Sequence, residues 1–276
     1  MGENPQSNLP SPSMQKKTFF ASDFHLGVDA RLSSTERERQ VVRWLEQVAP
    51  DADAIYLVGD LFEFWFEYKS VVPKGYTRLL GALARLRDAG LPIYAFSGNH
   101  DLWMFGYFEQ ELGIPVYRAP IQRTIDGKQF FIGHGDGLGP SDYGYKRMKK
   151  VFSNSFCQWA FRQIHPDLGA RLANKASQTS RSATPKAERN WLGDDQEWLL
   201  HYCLRKVSQG VVPDYFVFGH RHLPIDWQLP QVPSRYINLG EWMWNNSYGV
   251  FDGTDMVLHF FEHGGNIITN HSGFKR

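Results

Sequence analysis

Apolar positions along the first hundred residues switch between two spacings. Residues 18–22 form a short apolar run of β type, and residues 34–49 then carry Val41, Val42, Leu45 and Val48 at helical spacing. A second β-like run covers 54–58. Residues 76–89 repeat the helical pattern with Leu79, Leu80, Leu83 and Leu86, and Gly90 stands where a C-terminal cap is expected. A third run, 92–96, follows. This alternation predicts an α/β fold. Further on, Ile121–Ile125 and Lys128–Ile132 flank Asp126-Gly127, a hairpin signal. Residues 141–209 read as mostly helical, Tyr215–Phe218 is β-like again, and short strands close the chain, with a second hairpin around Asp252-Gly253. The expected organisation is a disordered tail over 1–16, a core built from 17–140 and 210–276, and a helical insertion over 141–209.

Composition narrows the class. With 42% hydrophobic residues and Lys+Arg 30 against Asp+Glu 29, the chain is neither disordered nor a globally basic nucleic-acid binder. Two cysteines, Cys157 and Cys203, cannot build a disulfide framework or a thiolate metal cluster, so a reducing compartment is expected. No apolar run approaches the roughly 20 residues of a spanning helix, and the polar, Pro-rich start does not resemble a signal peptide. A cytoplasmic location follows as the expectation.

The chemistry lies where the strands stop. Five times a short apolar run ends at a glycine or small polar residue and delivers Asp, Asn or His: Asp23/His25, Asp60, Asn99/His100, His134, and His220/His222. Residues at the carboxyl ends of neighbouring strands converge on one crevice. On an extended strand, i and i+2 share a side, so Asp-x-His and His-x-His are each expected to face one site. Oxygen and imidazole donors without thiolate suit Mn²⁺, Fe²⁺ or Zn²⁺. Even without His100, the seven remaining donors exceed the need of one such ion, and Asp60, alone in its motif, is the natural bridge between two. Two ions about 3.5–4 Å apart lower the pKa of a bridging water and neutralise charge in an in-line displacement, so phosphoester or anhydride hydrolysis is expected. Taken singly, Asp-x-His is an ordinary solvated or capping pair, Gly-Asn-His-Asp a turn, and His134 a satisfied histidine. Five such motifs in order at strand ends are not explained by those roles. Asp101 is the candidate to orient a motif histidine. The other five histidines read as surface or core residues.

Asp23-Phe24-His25, Gly59-Asp60, Gly98-Asn99-His100-Asp101, Gly133-His134 and Gly219-His220-Arg221-His222 resemble the signature of calcineurin-like metallophosphoesterases. The resemblance implies two mixed β-sheets packed face to face with helices outside. It assigns Asp23, His25, Asp60 and His222 to one metal and Asp60, Asn99, His134 and His220 to the other; the donor pattern favours Mn²⁺, with Fe²⁺ and Zn²⁺ left open. It also implies that His100 contacts the phosphate and assists the leaving group. Finer features are similar to the branch that hydrolyses UDP-2,3-diacylglucosamine in lipid A biosynthesis. These are Gly59-Asp60-Leu61-Phe62-Glu63-Phe64-Trp65, His134-Gly135-Asp136-Gly137-Leu138, the helical insertion and Asn238-Leu239-Gly240-Glu241-Trp242. That likeness implies cleavage to UMP and 2,3-diacylglucosamine 1-phosphate, with Asn99, His100, Asp142, Tyr145 and Ser180 at the substrate. In one respect the chain departs from the branch: His100 stands where its best-known members carry arginine.

The insertion bears on the substrate independently. Residues 141–189 hold ten basic and three acidic side chains, a local +7 in a chain of net +1, with Phe152, Phe156 and Trp159 at i, i+4, i+7 and Phe161 nearby. A basic helical segment with an aromatic face suits anionic headgroups or acyl chains, which implies peripheral contact with the cytoplasmic face of a bacterial inner membrane. The bland reading is a solvated basic face over an ordinary core stripe. No nucleic acid and no protein partner are expected. The competing readings are a phosphodiesterase acting on another nucleotide, nucleic acid or phospholipid-like ester, and an inert scaffold, which metal content and turnover would separate.

Overall fold

The computed structural model describes residues 16–139, 143–183 and 190–270. Strands β1 (Lys17–Ala21), β2 (Ala52–Val58), β3 (Ile93–Phe96) and β4 (Val116–Tyr117) run parallel. They share a six-stranded sheet with β10 (Ser247–Phe251) and β11 (Met256–Phe260), in the order β11-β10-β1-β2-β3-β4. The second sheet, also six-stranded, has the order β12-β8-β9-β7-β6-β5. Its strands are β5 (Ile121–Ile125), β6 (Lys128–Ile132), β7 (Tyr215–Phe218), β8 (Pro224–Gln228), β9 (Arg235–Leu239) and β12 (Ile268–Thr269). Within it β6, β7 and β9 are parallel, β5 is antiparallel to β6 and β8 to β9, and β12 runs parallel to β8. Both sheets are therefore mixed, as the fold class expected. The β5–β6 turn has positive φ at Asp126 (46°) and Gly127 (81°), the backbone that a two-residue hairpin of this hand requires.

The sheets stack face to face, and strand alternation sends each side chain to one of two buried faces. Phe20, Tyr56, Val58, Phe96, Phe130, Ile132, Val217 and Ile237 meet between the sheets, where the Phe20 ring stacks on Tyr56 at 5.0 Å and on Phe130 at 5.7 Å. Their neighbours Phe19, Ala21, Ile55 and Leu57 point outward against helices α1 (Ser34–Val48) and α2 (Thr77–Asp88). Burial on both faces is why these strands read as continuous apolar runs. A short helix, α3 (Tyr107–Glu111), buries Phe108 in the same outer core.

α1 begins with a capping box: Ser33 Oγ accepts from Glu36 N, and Glu36 Oε2 accepts from Ser33 N. Its stripe of Val41, Trp44, Leu45 and Val48 continues backward to Arg37, which is fully buried. The Arg37 guanidinium donates to the carbonyls of Phe24 (2.8 Å) and His25 (2.6 Å), so α1 fixes the loop after β1. Among the described residues of 141–209 lie the α-helices α4 (Tyr143–Phe152), α5 (Ser155–Arg162), α6 (Pro166–Ala183) and α7 (Trp198–Ser208). α7 covers the outer face of the second sheet, burying Leu199, Leu200, Tyr202 and Cys203 against Phe131, Phe216 and Phe218.

The aromatic stripe expected on one helix is divided. Asn154 Oδ1 caps α5 by accepting from Phe156 N and Cys157 N, so Phe152 ends one helix and Phe156 and Trp159 sit on the next. These side chains are not core: Phe156 is 70% and Trp159 57% exposed. Phe161 instead turns inward, its ring 4.7 Å from Phe66 and 4.9 Å from Trp103. The tail expected over 1–16 lies, except for Lys16, outside the described residues, as does Asp142.

Candidate active site

The parallel strands β1, β2 and β3 end at the same edge as β6 and β7, and the seven donors stand in the loops just beyond. The first sheet supplies Asp23, His25, Asp60 and Asn99; the second supplies His134, His220 and His222. The way the pairs face each other differs from expectation. β1 stops at Ala21 and β7 at Phe218, so neither Asp23-x-His25 nor His220-x-His222 is extended strand. Asp23, His25, Asp60, His220 and His222 all have left-handed backbones, with φ of 57°, 45°, 52°, 69° and 55°. Such a conformation costs a non-glycine residue about 1–2 kcal/mol and persists only where the surroundings enforce it.

Left-handed turns redirect side chains, and the two histidines of His220-x-His222 do not face a common site. Ligand atoms of Asp23, His25 and His222 gather within 4.8 Å of one another, whereas His220 gathers with Asp60 and His134. Two glycines make the approach possible. Gly59 has φ +84°, and a Cβ there would lie 2.5 Å from His134 Nδ1; a Cβ on Gly98 would lie 2.1 Å from Asp60 Oδ1.

The donor set demands a cation. His134 Nδ1 donates to the Val58 carbonyl (2.9 Å), which leaves the Nε2 lone pair facing Asp60 Oδ2 (3.2 Å) and Asn99 Oδ1 (3.3 Å). His25 Nδ1 donates to Glu63 Oε2 (3.2 Å), and its Nε2 faces His222 Nε2 at 3.0 Å, Asp23 Oδ1 at 3.6 Å and Asp60 Oδ2 at 3.8 Å. Asp23 Oδ1 is buried without a hydrogen bond among the described residues, although His222 Nε2 is 3.1 Å away. Acceptors converging at buried Asp23, His25, Asp60 and His134, with Asn99, His220 and His222 partly open to solvent, fit divalent metal ions bound through oxygen and imidazole. Asp60 reaches both groups through Oδ2, while its Oδ1 accepts from the backbone N–H of His100 (2.9 Å).

Without an ion, the carboxylates and imidazoles of the site stabilise each other's charge. Burial alone would raise the Asp23 carboxyl, but the imidazoles of His222 and His25 hold it well below the usual carboxylate range. Asp60 is likewise held low against its burial by His134 and His100. Burial opposes charge on His134, yet Asp60 beside it pushes that imidazole well above the usual histidine range. His220, buried and next to His134, falls to about 4.

Several supporting residues were not singled out from sequence. Glu63 is buried and holds His25 by its carboxylate and His100 Nδ1 by its carbonyl (3.1 Å). A lone acid inside the apolar run Leu61-Phe62-Glu63-Phe64-Trp65 was the available signal, since a buried charge needs a partner. Arg37 gave a similar one, a cation one turn before Val41 on the apolar stripe. Arg221 pairs with buried Glu197 (2.9 Å), and Asn238 Nδ2 donates to the Gly219 carbonyl; together they hold the loop of His220 and His222. Asp101, expected to orient a histidine, accepts instead from the backbone N–H of Gly98 (2.6 Å) and Leu61 (2.7 Å), tying the loops after β2 and β3 together. Burial and the nearby Asp60 push its carboxyl up to about 7.

Of the expected substrate residues, Asn99 and His100 stand at this centre. Tyr145 and Ser180 lie on the backbones of α4 and α6, and their side chains, like the whole of Asp142, fall outside what is described. The insertion is joined to the site by Lys149, whose ammonium lies 2.6 Å from the buried Asp136 carboxylate, and by Lys146, which donates to the Gly139 carbonyl. Trp103 Nε1 donates to the Phe152 carbonyl (2.8 Å).

Comparison with known proteins agrees with this geometry. Residues 16–224 match the family model described as calcineurin-like phosphoesterase. A Porphyromonas gingivalis protein named UDP-2,3-diacylglucosamine hydrolase is 37% identical over 90% of this chain and 99% of its own length. Proteins of the same name from Nitrosococcus oceani and Aeromonas salmonicida are 34% and 30% identical, each over 82% of this chain and over 87% and 85% of their own lengths. With a family match over most of its length and the buried donor set in place, the chain belongs to the calcineurin-like phosphoesterase family, which works with divalent metal ions.

Proposed function

We propose that this protein hydrolyses the pyrophosphate of UDP-2,3-diacylglucosamine, giving UMP and 2,3-diacylglucosamine 1-phosphate for lipid A biosynthesis. The observation that carries the substrate is the nearly end-to-end match to the Porphyromonas gingivalis UDP-2,3-diacylglucosamine hydrolase. Asp23, His25, Asp60 and His222 hold one metal, and Asp60, Asn99, His134 and His220 the other, with Mn²⁺ preferred. When bound, the ions lower the pKa of water and neutralise the charge of an in-line displacement at phosphorus. Asp60 links the two sites through one oxygen. His100, held at its backbone N–H by Asp60 and at Nδ1 by the Glu63 carbonyl, meets the phosphate and the leaving oxygen with its imidazole.

The segment 141–209 serves as the substrate-recognition lid on a core of 17–140 and 210–276, with Asp142, Tyr145 and Ser180 among its contacts. α7 is its root in the core, and α4 to α6 carry the recognition surface. The acyl portion lies along the aromatic shelf of the half-buried Phe64, Trp103 and Phe161, which the buried Phe66 supports from behind. Exposed Phe156, Trp159, Leu168 and Leu172, among the basic residues of the insertion, bring the enzyme to the cytoplasmic face of an anionic membrane. No helix among the described residues is long and apolar enough to cross a membrane, which is compatible with peripheral binding.

The test is turnover of synthetic UDP-2,3-diacylglucosamine by Mn²⁺-loaded protein, with bis-p-nitrophenyl phosphate in parallel. UMP release far faster than aryl diester cleavage supports the assignment. Cleavage of the diester alone keeps the two-metal chemistry and discards the substrate.

A further inference from the structure

Beside His134 lies a cavity of about 600 Å³, between the loops after β3, β4 and β6 and the face of α4. Its size falls within the range of about 300–1,000 Å³ typical of small-molecule sites. Its walls combine two chemistries. Tyr117 and Leu138 offer apolar surface backed by the buried Phe96, while Arg147 and Lys150 bring positive charge beside Arg118, whose guanidinium is held by the Met104 carbonyl and Glu109. Arg147 and Lys150 are exposed and make no ion pair among the described residues. Ser97, also in the wall, keeps a buried hydroxyl without a hydrogen-bond partner among the described residues.

A ring-accepting surface bounded by cations, with an unsatisfied hydroxyl and one end at the phosphoryl site, matches a nucleotide better than an alkyl chain. α4 separates this cavity from a different environment. Lys146, Arg147, Lys149 and Lys150 line the cavity, whereas Phe152, its last residue, packs on Trp103 of the aromatic shelf at 5.3 Å. The two sides of the helix therefore suit the two halves of one amphipathic molecule.

We infer that this cavity is the nucleotide subsite, holding the uridine monophosphate half of the substrate while the acylated sugar leaves across the aromatic shelf on the other side of α4. The inference rests on the substrate reading above and adds the orientation of the bound molecule. Arg147 and Lys150 act as nucleotide-recognition residues, and Tyr117 lies within reach of the base.

The experiment titrates UMP, and separately 2,3-diacylglucosamine 1-phosphate, into Mn²⁺-loaded full-length protein, comparing wild type with Arg147→Ala/Lys150→Ala. Both positions are exposed, so folding and metal content should be retained. Loss of two charge-assisted contacts should weaken UMP binding about tenfold or more, and binding of the lipid product by less than about twofold. Unchanged UMP affinity, or equal weakening of both products, overturns the inference. Photo-cross-linking with 5-iodo-UMP gives a readout free of substitution. Attachment at Tyr117 is expected, and attachment at Trp103 or Phe161 reverses the orientation. A wild-type protein that releases no UMP from UDP-2,3-diacylglucosamine removes the substrate reading itself and the inference with it. UMP release combined with attachment on the shelf removes the orientation alone.

Discussion

Replacing Glu63 tests whether the metal centre depends on the groups behind it as well as on its donors. Its carboxylate accepts from His25 Nδ1 at 3.2 Å, which fixes the tautomer and turns the Nε2 lone pair toward Asp23, Asp60 and His222. Its backbone carbonyl holds His100 and is untouched by side-chain substitution. Glu63→Ala therefore frees His25 while leaving His100 tethered. Groups in this position behind a ligating histidine are worth about 10–100-fold in metal affinity or activity, or about 1.4–2.7 kcal/mol. Glu63→Gln keeps an acceptor oxygen of the same reach without the charge, so its loss should fall near tenfold, with Glu63→Ala near a hundredfold. Activity titrated against Mn²⁺ separates the effects: both variants should need more metal, and excess metal should restore more of the Gln variant than of the Ala variant. Wild-type Mn²⁺ affinity in Glu63→Ala would refute the reasoning, because His25 would then be held without its carboxylate.

Other outcomes follow from the same geometry. Asp60→Ala removes the carboxylate oxygen that lies near His25 in one group and His134 in the other and should lose bound metal and most turnover; a metal-replete, fully active variant would sink the two-metal arrangement. Arg37→Met leaves the Phe24 and His25 carbonyls without their buried donor and should lower unfolding stability by about 2–3 kcal/mol, read by urea denaturation. A loss below about 0.5 kcal/mol would contradict that role. Phe156→Ala/Trp159→Ala should change stability by less than about 1 kcal/mol, since both side chains face solvent, yet reduce sedimentation with anionic vesicles. Undiminished vesicle binding would argue against this face as the membrane contact. Chelation should lower the thermal midpoint, because metal at about 100 times its Kd stabilises the folded state by about 2.7 kcal/mol. Re-addition of Mn²⁺ should restore it, and a midpoint indifferent to chelator would mean that the donors hold no ion.

Much of the fold can be read locally. The β-like runs, the helical stripes of α1 and α2 and the Asp126-Gly127 turn depend on side-chain period and on φ preferences within a few residues. The two-residue strands β4 and β12 are too short for a period to show, and β12 owes its place to pairing with β8, some forty residues earlier. The aromatic residues of 152–161 were ambiguous for a similar reason. Spacing marks a stripe, but only the neighbours decide whether the stripe is covered, and here Phe161 is packed while Phe156 and Trp159 are open.

By itself the sequence determined the residue types of the site and their positions at strand ends, because a polar residue following an apolar run is a local fact. It also identified the family, since all five motifs lie in order along one chain. The resemblance implied how the donors group, but the physical cause of that grouping lies in the tertiary structure. His134 belongs to a different sheet from Asp60 and Asn99, and Asp23 meets His222 across almost 200 residues, so their meeting follows from sheet packing and not from spacing. The left-handed backbone at five donors, which sends His220 and His222 to separate groups, is likewise imposed from outside those loops. Glu197 paired with Arg221, and Asn238 bonded to Gly219, hold that strained turn, and no local pattern encodes contacts made between separate parts of the chain.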